Sequence, residues 1–184
     1  MLYPRRRSFV IVASDPASEP LLRERRKTPL FILPFDLTPG WGYNNPYKKP
    51  GGCGMKKDVS AAVIEDGRGR ILICRRREGG SCAHLWEFAG GKREEGETDE
   101  ECLIRECREE LDVEITVGGL LLETFHRYPE YDVDIKFFSA TIVSGEPKLI
   151  VHETFCWAGP EDFDGLEFCP ADREILKLLS AKQG

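Results

Sequence analysis

The chain has no apolar run near the roughly 20 residues that a membrane-spanning helix needs, so a helical membrane protein is excluded. No secretory signal is expected, because the apolar stretch behind the basic start is only Phe9–Ala13 and polar, Pro-containing sequence follows. The seven cysteines (Cys53, Cys74, Cys82, Cys102, Cys107, Cys156 and Cys169) form no Cys-x-x-Cys pair, and their number is odd. Neither a zinc ribbon nor a disulfide framework is expected from them; they read as reduced thiols packed like small hydrophobes. Three scattered histidines (His84, His126, His152) do not make a His-based metal site. No internal repeat is visible. What remains, at 41% hydrophobic and 32% charged residues over 184 positions, is one ordinary folded domain with length to spare, and a cytoplasmic location is expected.

Proline is unevenly spread. Eight of the twelve prolines fall in residues 1–54, which show neither helical nor strand periodicity. This segment holds nine Lys/Arg against four Asp/Glu, a charge of +5, so residues 55–184 carry −11 of the chain's −6. Three readings of this basic leader stand: a disordered tail, an arm that binds a partner or nucleic acid, or a segment that is not native. Its basic residues are not interleaved with stacking aromatics, which speaks against nucleic acid. Met55-Lys56-Lys57 opens directly into strand-like sequence, and Gly51-Gly52 is what a purine-rich ribosome-binding site ahead of a Met55 start codon would encode. The expected division is therefore an irregular leader at 1–54 and a folded domain at 55–184.

Within that domain, Asp58–Glu65 and Arg70–Arg76 read as strands joined by the hairpin-type turn Asp66-Gly67-Arg68-Gly69. Thr98–Leu111 is the clearest helix. Leu103, Ile104, Cys107 and Leu111 mark a buried stripe, and Thr98 with Glu101 makes a capping box. Further strands are expected at Glu114–Tyr128, broken near two glycines, at Tyr131–Val143 and at Thr154–Trp157. A closing helix is expected over Pro170–Lys182 with Pro in its first turn. This order implies an α/β fold, a mixed β-sheet between helices.

The chemistry concentrates on one helix. Glu106, Glu109 and Glu110 stand at i, i+3 and i+4, so three carboxylates share one side. On the helix alone, a solvated acidic face and a cation site are equally good readings. Upstream lie Gly90-Gly91-Lys92, read as a tight glycine turn that lets backbone approach the carboxylates, and Glu97. Hard oxygens gathered beside such a turn suit Mg²⁺, which polarises phosphorus and activates water.

The segment Gly91–Val113 resembles the Nudix box, G-x5-E-x7-R-E-U-x-E-E-x-G-U with U a bulky apolar residue. Gly91, Glu97, Arg105, Glu106, Glu109, Glu110 and Val113 fall in register. Cys107 takes an apolar position and Asp112 that of a glycine; Asp tolerates left-handed backbone, so a proper helix end is still expected. The segments Trp86–Lys92 and Cys169–Asp172 also resemble the WEF(P/A)GGK and late P-A-(N/D) motifs of MutT-type and CTP pyrophosphohydrolase-type members. The resemblance spans roughly residues 57–182 and implies the Nudix α/β/α sandwich.

Carried over by position, the resemblance implies Glu109 and Glu110 as metal ligands, assisted by the Gly90 carbonyl, with Mg²⁺ (or Mn²⁺ in its place) as cofactor. Glu106 is then a ligand or the base for the attacking water. Glu97 pairs with Arg105, and Lys92 bears on phosphate charge. Glu153 is either the late metal ligand or a surface glutamate at a strand edge. For substrate, Phe88 is a base neighbour or a core residue, and Arg76 a nucleotide contact or an exposed strand-end charge. Asp172, taken as a carboxylate that only accepts, suits the amino group of cytosine or the N–H groups of an oxidised guanine. The implied reaction splits a nucleoside triphosphate into monophosphate and pyrophosphate, in nucleotide-pool sanitisation of modified or pyrimidine (d)NTPs. The implied enzyme is a monomer or homodimer without a stable nucleic-acid partner. Rival readings are a non-catalytic nucleotide sensor on the same fold, and a hydrolase of another nucleoside diphosphate derivative.

Overall fold

The structure, a computed structural model, describes residues 55–181; the leader assigned to residues 1–54 lies outside the described residues. The elements in chain order are β1 (Met55–Ile64), β2 (Ile71–Arg75), β3 (Trp86–Glu87), β4 (Ala89–Lys92) and α1 (Asp99–Leu111). They are followed by β5 (Glu114–Arg127), β6 (Tyr131–Ser144), β7 (Thr154–Ala158) and α2 (Arg173–Ala181), with 3-10 turns at Pro160–Gly165 and Pro170–Asp172 before α2.

The apolar runs of β1 and β2 are continuous rather than alternating because both strands are covered on both faces. Ala61 and Val63 of β1, with Ile71 and Ile73 of β2, point into a core closed by Ile175 and Leu179 of α2. Their neighbours Ala62, Ile64, Leu72 and Cys74 point the other way, into a second core closed by Leu103, Cys107 and Leu111 of α1. The result is the expected α/β/α sandwich.

Its middle layer is two sheets rather than one. A four-stranded mixed sheet runs β4-β1-β6-β5, with β1 and β6 parallel, and a three-stranded antiparallel sheet runs β3-β2-β7. The expected hairpin of β1 and β2 is thereby corrected. The turn forms as read, with Gly69 N–H donating to the Asp66 carbonyl and the Asp66 carboxylate accepting from the Arg68 and Arg70 amides. Only the Glu65–Ile71 bridge follows it, however, and the strands then part into different sheets. Each finds better partners: β1 takes ten residues of β6, and β2 pairs with β7 along its whole length.

The break expected in β5 is a pair of register shifts between Val117 and Leu122, around Gly118-Gly119. The closing helix is also corrected. Pro170–Asp172 forms a tight 3-10 turn, and α2 begins only at Arg173. Among the described residues no helix is long and apolar enough to cross a membrane.

Candidate active site

Helix α1 is anchored at both ends. The Glu101 amide donates to Thr98 Oγ1 (3.2 Å) and the Thr98 amide to the Glu101 carboxylate (2.8 Å), closing a capping box that contributes about 1 kcal/mol. At the other end Asp112 sits left-handed at φ 56°, and its N–H returns to the Arg108 carbonyl. Cys102, Leu103, Cys107 and Leu111 bury the core face, and Ile104 is only partly covered. Burial pushes the Cys107 thiol up to about 12, so it behaves as a small hydrophobe.

The opposite face carries the carboxylates, and Arg105 organises part of it. Its Nε and Nη2 donate to the two oxygens of Glu97 at 2.8 and 2.9 Å, and its Nη1 donates to Glu106 at 2.8 Å and reaches Glu109 at 3.5 Å. Glu97 is thus tied to the helix, and the Arg105 hydrogen bonds hold its carboxyl down to about 2. Glu106 is mostly covered, at 15% exposure of its side chain, while Glu109 reaches solvent at 60%.

Strand β4 lies against this face. The double glycine is strand rather than the tight turn expected, paired with β1 through Ala61↔Gly90 and Ser60↔Gly91. Glycine is required at both positions all the same. Gly90 has φ +145°, and a Cβ there would enter the backbone of Ser60 and Ala61; at Gly91 a Cβ would meet the Glu106 carboxylate. Glu110 is half-buried and accepts a hydrogen bond from the Gly90 N–H at 3.2 Å. Burial raises its carboxyl to about 7, with Glu87 and Glu106 adding to the effect and His152 opposing it.

Two cavities flank β3. The first, about 250 Å³, is lined by Lys57, Arg76, Phe88, Lys92, Tyr131 and Asp172 among others. The second, about 290 Å³, is lined by Arg76, Arg77, Glu87, Glu110 and His152 among others. Arg76 and Glu87 face both, joined by a 2.6 Å ion pair. Phe88 is core as well as wall, edge-on to Phe137 and stacked on Phe168.

Asp172 is buried, with no partner for Oδ2. Burial pushes its carboxyl well up, with the Glu87 charge adding to the shift. The sequence reading treated it as a carboxylate that only accepts; burial instead favours the neutral acid, which donates as well. Glu153, at the entry to β7, lies 2.8 Å from His84 Nδ1 and 3.4 Å from Arg75 Nη1, and it does not line the cavity that Glu110 and His152 face.

Sequence reasoning passed over Glu87 and His152. Glu87 carried a signal: as a charge inside Trp86-Glu87-Phe88, placed opposite Cys74 in the register, it is an anomaly in an otherwise apolar segment. His152 carried none beyond its neighbour.

Among the described residues, no three His, Cys, Asp or Glu side chains converge closely enough to hold a metal as they stand. The chemistry of the donors does fit a hard divalent cation. Three glutamates share one helix side beside backbone that a Cβ would push away, and one is desolvated enough to gain from a cation.

An α/β/α sandwich carrying such a glutamate helix against a double-glycine strand defines a class of phosphoanhydride hydrolases. Residues 60–178 match the family described as the NUDIX domain, and the chain belongs to that family of hydrolases. It is 33% identical over 124 residues to the CTP pyrophosphohydrolase of Escherichia coli K12, covering 67% of this chain and 91% of that protein. It is 35% identical over 86 residues to the 8-oxo-dGTP diphosphatase of Proteus vulgaris, covering 47% and 77% respectively. The solution structure of the E. coli ORF135 protein superposes with a TM-score of 0.62 at 31% identity, covering 74% of this chain and 96% of that one.

Proposed function

We propose that this chain is an Mg²⁺-dependent nucleoside triphosphate pyrophosphohydrolase that releases a nucleoside monophosphate and pyrophosphate. Its substrates are modified or pyrimidine (d)NTPs, and its role is to clear them from the nucleotide pool. The observation that carries this reading is the half-buried Glu110 on the same helix side as Glu106 and Glu109. It opens on a cavity that shares Arg76 and Glu87 with a second one, lined by Phe88, Lys92 and Asp172. The relatives, by their names, act on CTP and on 8-oxo-dGTP, which supports the substrate class.

Glu106, Glu109 and Glu110, with the Gly90 carbonyl, would hold the cation, and Glu153 is the late candidate among them. When bound, Mg²⁺ neutralises polyphosphate charge and activates the attacking water. The chain's own residues do the rest. Arg105, locked on Glu97, fixes the Glu106 carboxylate, which is the ligand or base that takes up the water's proton. Lys92 and Arg76 place positive charge where the leaving oxygens gain negative charge. The base enters beside Phe88, where Asp172 Oδ2 and Arg76 Nε, both buried without a partner, are free to be satisfied by it. As a neutral acid Asp172 offers one donor and one acceptor, so either a cytosine edge or an oxidised-guanine edge can pair with it. The division into a leader at 1–54 and an enzymatic domain from residue 55 belongs to the same reading.

The test is a pyrophosphate-release screen over ordinary and oxidised (d)NTPs with Mg²⁺. Release from CTP, dCTP or 8-oxo-dGTP well above the other nucleotides is the expected outcome. Glu109→Gln and Glu110→Gln should each lower turnover by roughly two orders of magnitude, as removing a key electrostatic element does. Unchanged turnover in both variants refutes the site.

A further inference from the structure

The segment entering β7 is packed inside out. Leu149, Ile150 and Val151 are 47%, 43% and 44% exposed, whereas the next residue, His152, is only 4% exposed. Hydrophobicity alone would bury the aliphatic side chains and leave the imidazole in water, so the buried position of His152 calls for another cause. The residue is held there through its backbone and its ring. Arg77 Nε donates to the His152 backbone carbonyl at 3.1 Å, and His152 Nε2 lies 3.3 Å from Glu87 Oε1.

A carboxylate only accepts, so Nε2 is the donor in that contact, and the nitrogen with which the ring can bind an ion is Nδ1. Nδ1 is buried and meets no hydrogen-bond partner. An orphaned buried nitrogen is costly, and an ion is one of the few things that explain it. Glu87 cannot itself turn toward a cation, because its other oxygen is taken by Arg76 at 2.6 Å. It is placed instead to orient the imidazole, as carboxylates do behind metal-ligating histidines. The wall shared with His152 is completed by Glu110.

We propose that His152 is a metal ligand of this site, its Nδ1 giving a nitrogen to the divalent cation that Glu110 holds, with Glu87 as the positioning residue behind it. The proposal rests on the reading of the α1 glutamates as the cation site and adds to them a donor one residue before Glu153, the position to which the family resemblance pointed. A nitrogen among oxygen ligands favours Mn²⁺ over Mg²⁺.

Mn²⁺ is therefore the probe, added to the full chain and followed by electron paramagnetic resonance. The loss of the free-ion signal gives affinity, and pulsed echo modulation reports nitrogen bound to the ion. Bound Mn²⁺ should show imidazole nitrogen modulation that survives in a His84→Ala, His126→Ala double variant. It should vanish in His152→Ala and His152→Gln, with Mn²⁺ affinity falling roughly tenfold or more and Mg²⁺ affinity, read by competition, falling less. Bound Mn²⁺ without nitrogen modulation in the unmodified protein overturns the role of His152 and leaves the carboxylate site standing. That result needs no variant to fold. Failure to bind Mn²⁺ at all, with or without nucleotide, overturns both.

Discussion

At Gly91 the space that a methyl group would fill is already taken by the Glu106 carboxylate. An Ala there cannot be absorbed by the strand, since Gly91 is held in register against Ser60 of β1. The flexible end of Glu106 must yield instead, and with it the 2.8 Å contact to Arg105. Gly91→Ala should therefore leave the melting temperature nearly unchanged while lowering kcat by about 10²-fold, the usual consequence of displacing a reacting group by about an ångström. Steady-state kinetics beside a thermal melt checks it, and a variant with full kcat shows that Glu106 needs no fixed position. The glycine was legible in the sequence, but the reason for it was not. Sequence suggested a turn, whereas the demand comes from a side chain fifteen positions along the chain.

Helix α1 was legible almost in full because its signals are local. The capping box, the buried stripe and the left-handed Asp112 involve residues within a few positions of one another, and they lie where the spacing puts them, save that Cys102 is buried and Ile104 only partly covered. The partition of β1 and β2 into separate sheets was not legible, since the turn between them is the same whether or not the strands stay paired. Partners distant in sequence decide that choice. The loop ahead of α1 adds an element-scale test. Glu97 is held to about 2 by Arg105, against 4.5 for an unperturbed glutamate, so its folded form is the one that prefers to stay charged. Stability from this pair is fully present above pH about 4.5 and is lost as pH falls toward about 2. Glu97→Gln should flatten the fall in melting temperature between pH 5 and pH 2. An acid limb as steep as in the unmodified protein shows that the pair does not anchor the loop.

At the scale of the fold, buried polar side chains among the described residues are satisfied with few exceptions, and the exceptions are gathered in one place. Among the described residues the unpartnered buried side-chain atoms are Arg76 Nε, His152 Nδ1 and Asp172 Oδ2. All three residues line the two cavities that share Arg76 and Glu87. A fold selected for stability alone would have filled these positions with apolar side chains; here the local cost is carried at the site where a ligand can relieve it. No local pattern announces such a concentration, because it comes from three segments distant in sequence that meet around the three-stranded sheet. It does predict a trade. Asp172→Leu removes a buried acid whose Oδ2 has no partner and adds apolar contacts beside Ala171 and Cys169, so the fold should gain about 1–3 kcal/mol, a rise of several degrees in melting temperature. The same change leaves the base without a donor or acceptor, and kcat/KM for the best nucleotide should fall by about 10²-fold or more while discrimination among bases narrows. Melting and a nucleotide screen on the one variant read both halves. If Asp172→Leu melts lower than the unmodified protein, the acid is stabilising where it sits and its burial owes nothing to the ligand.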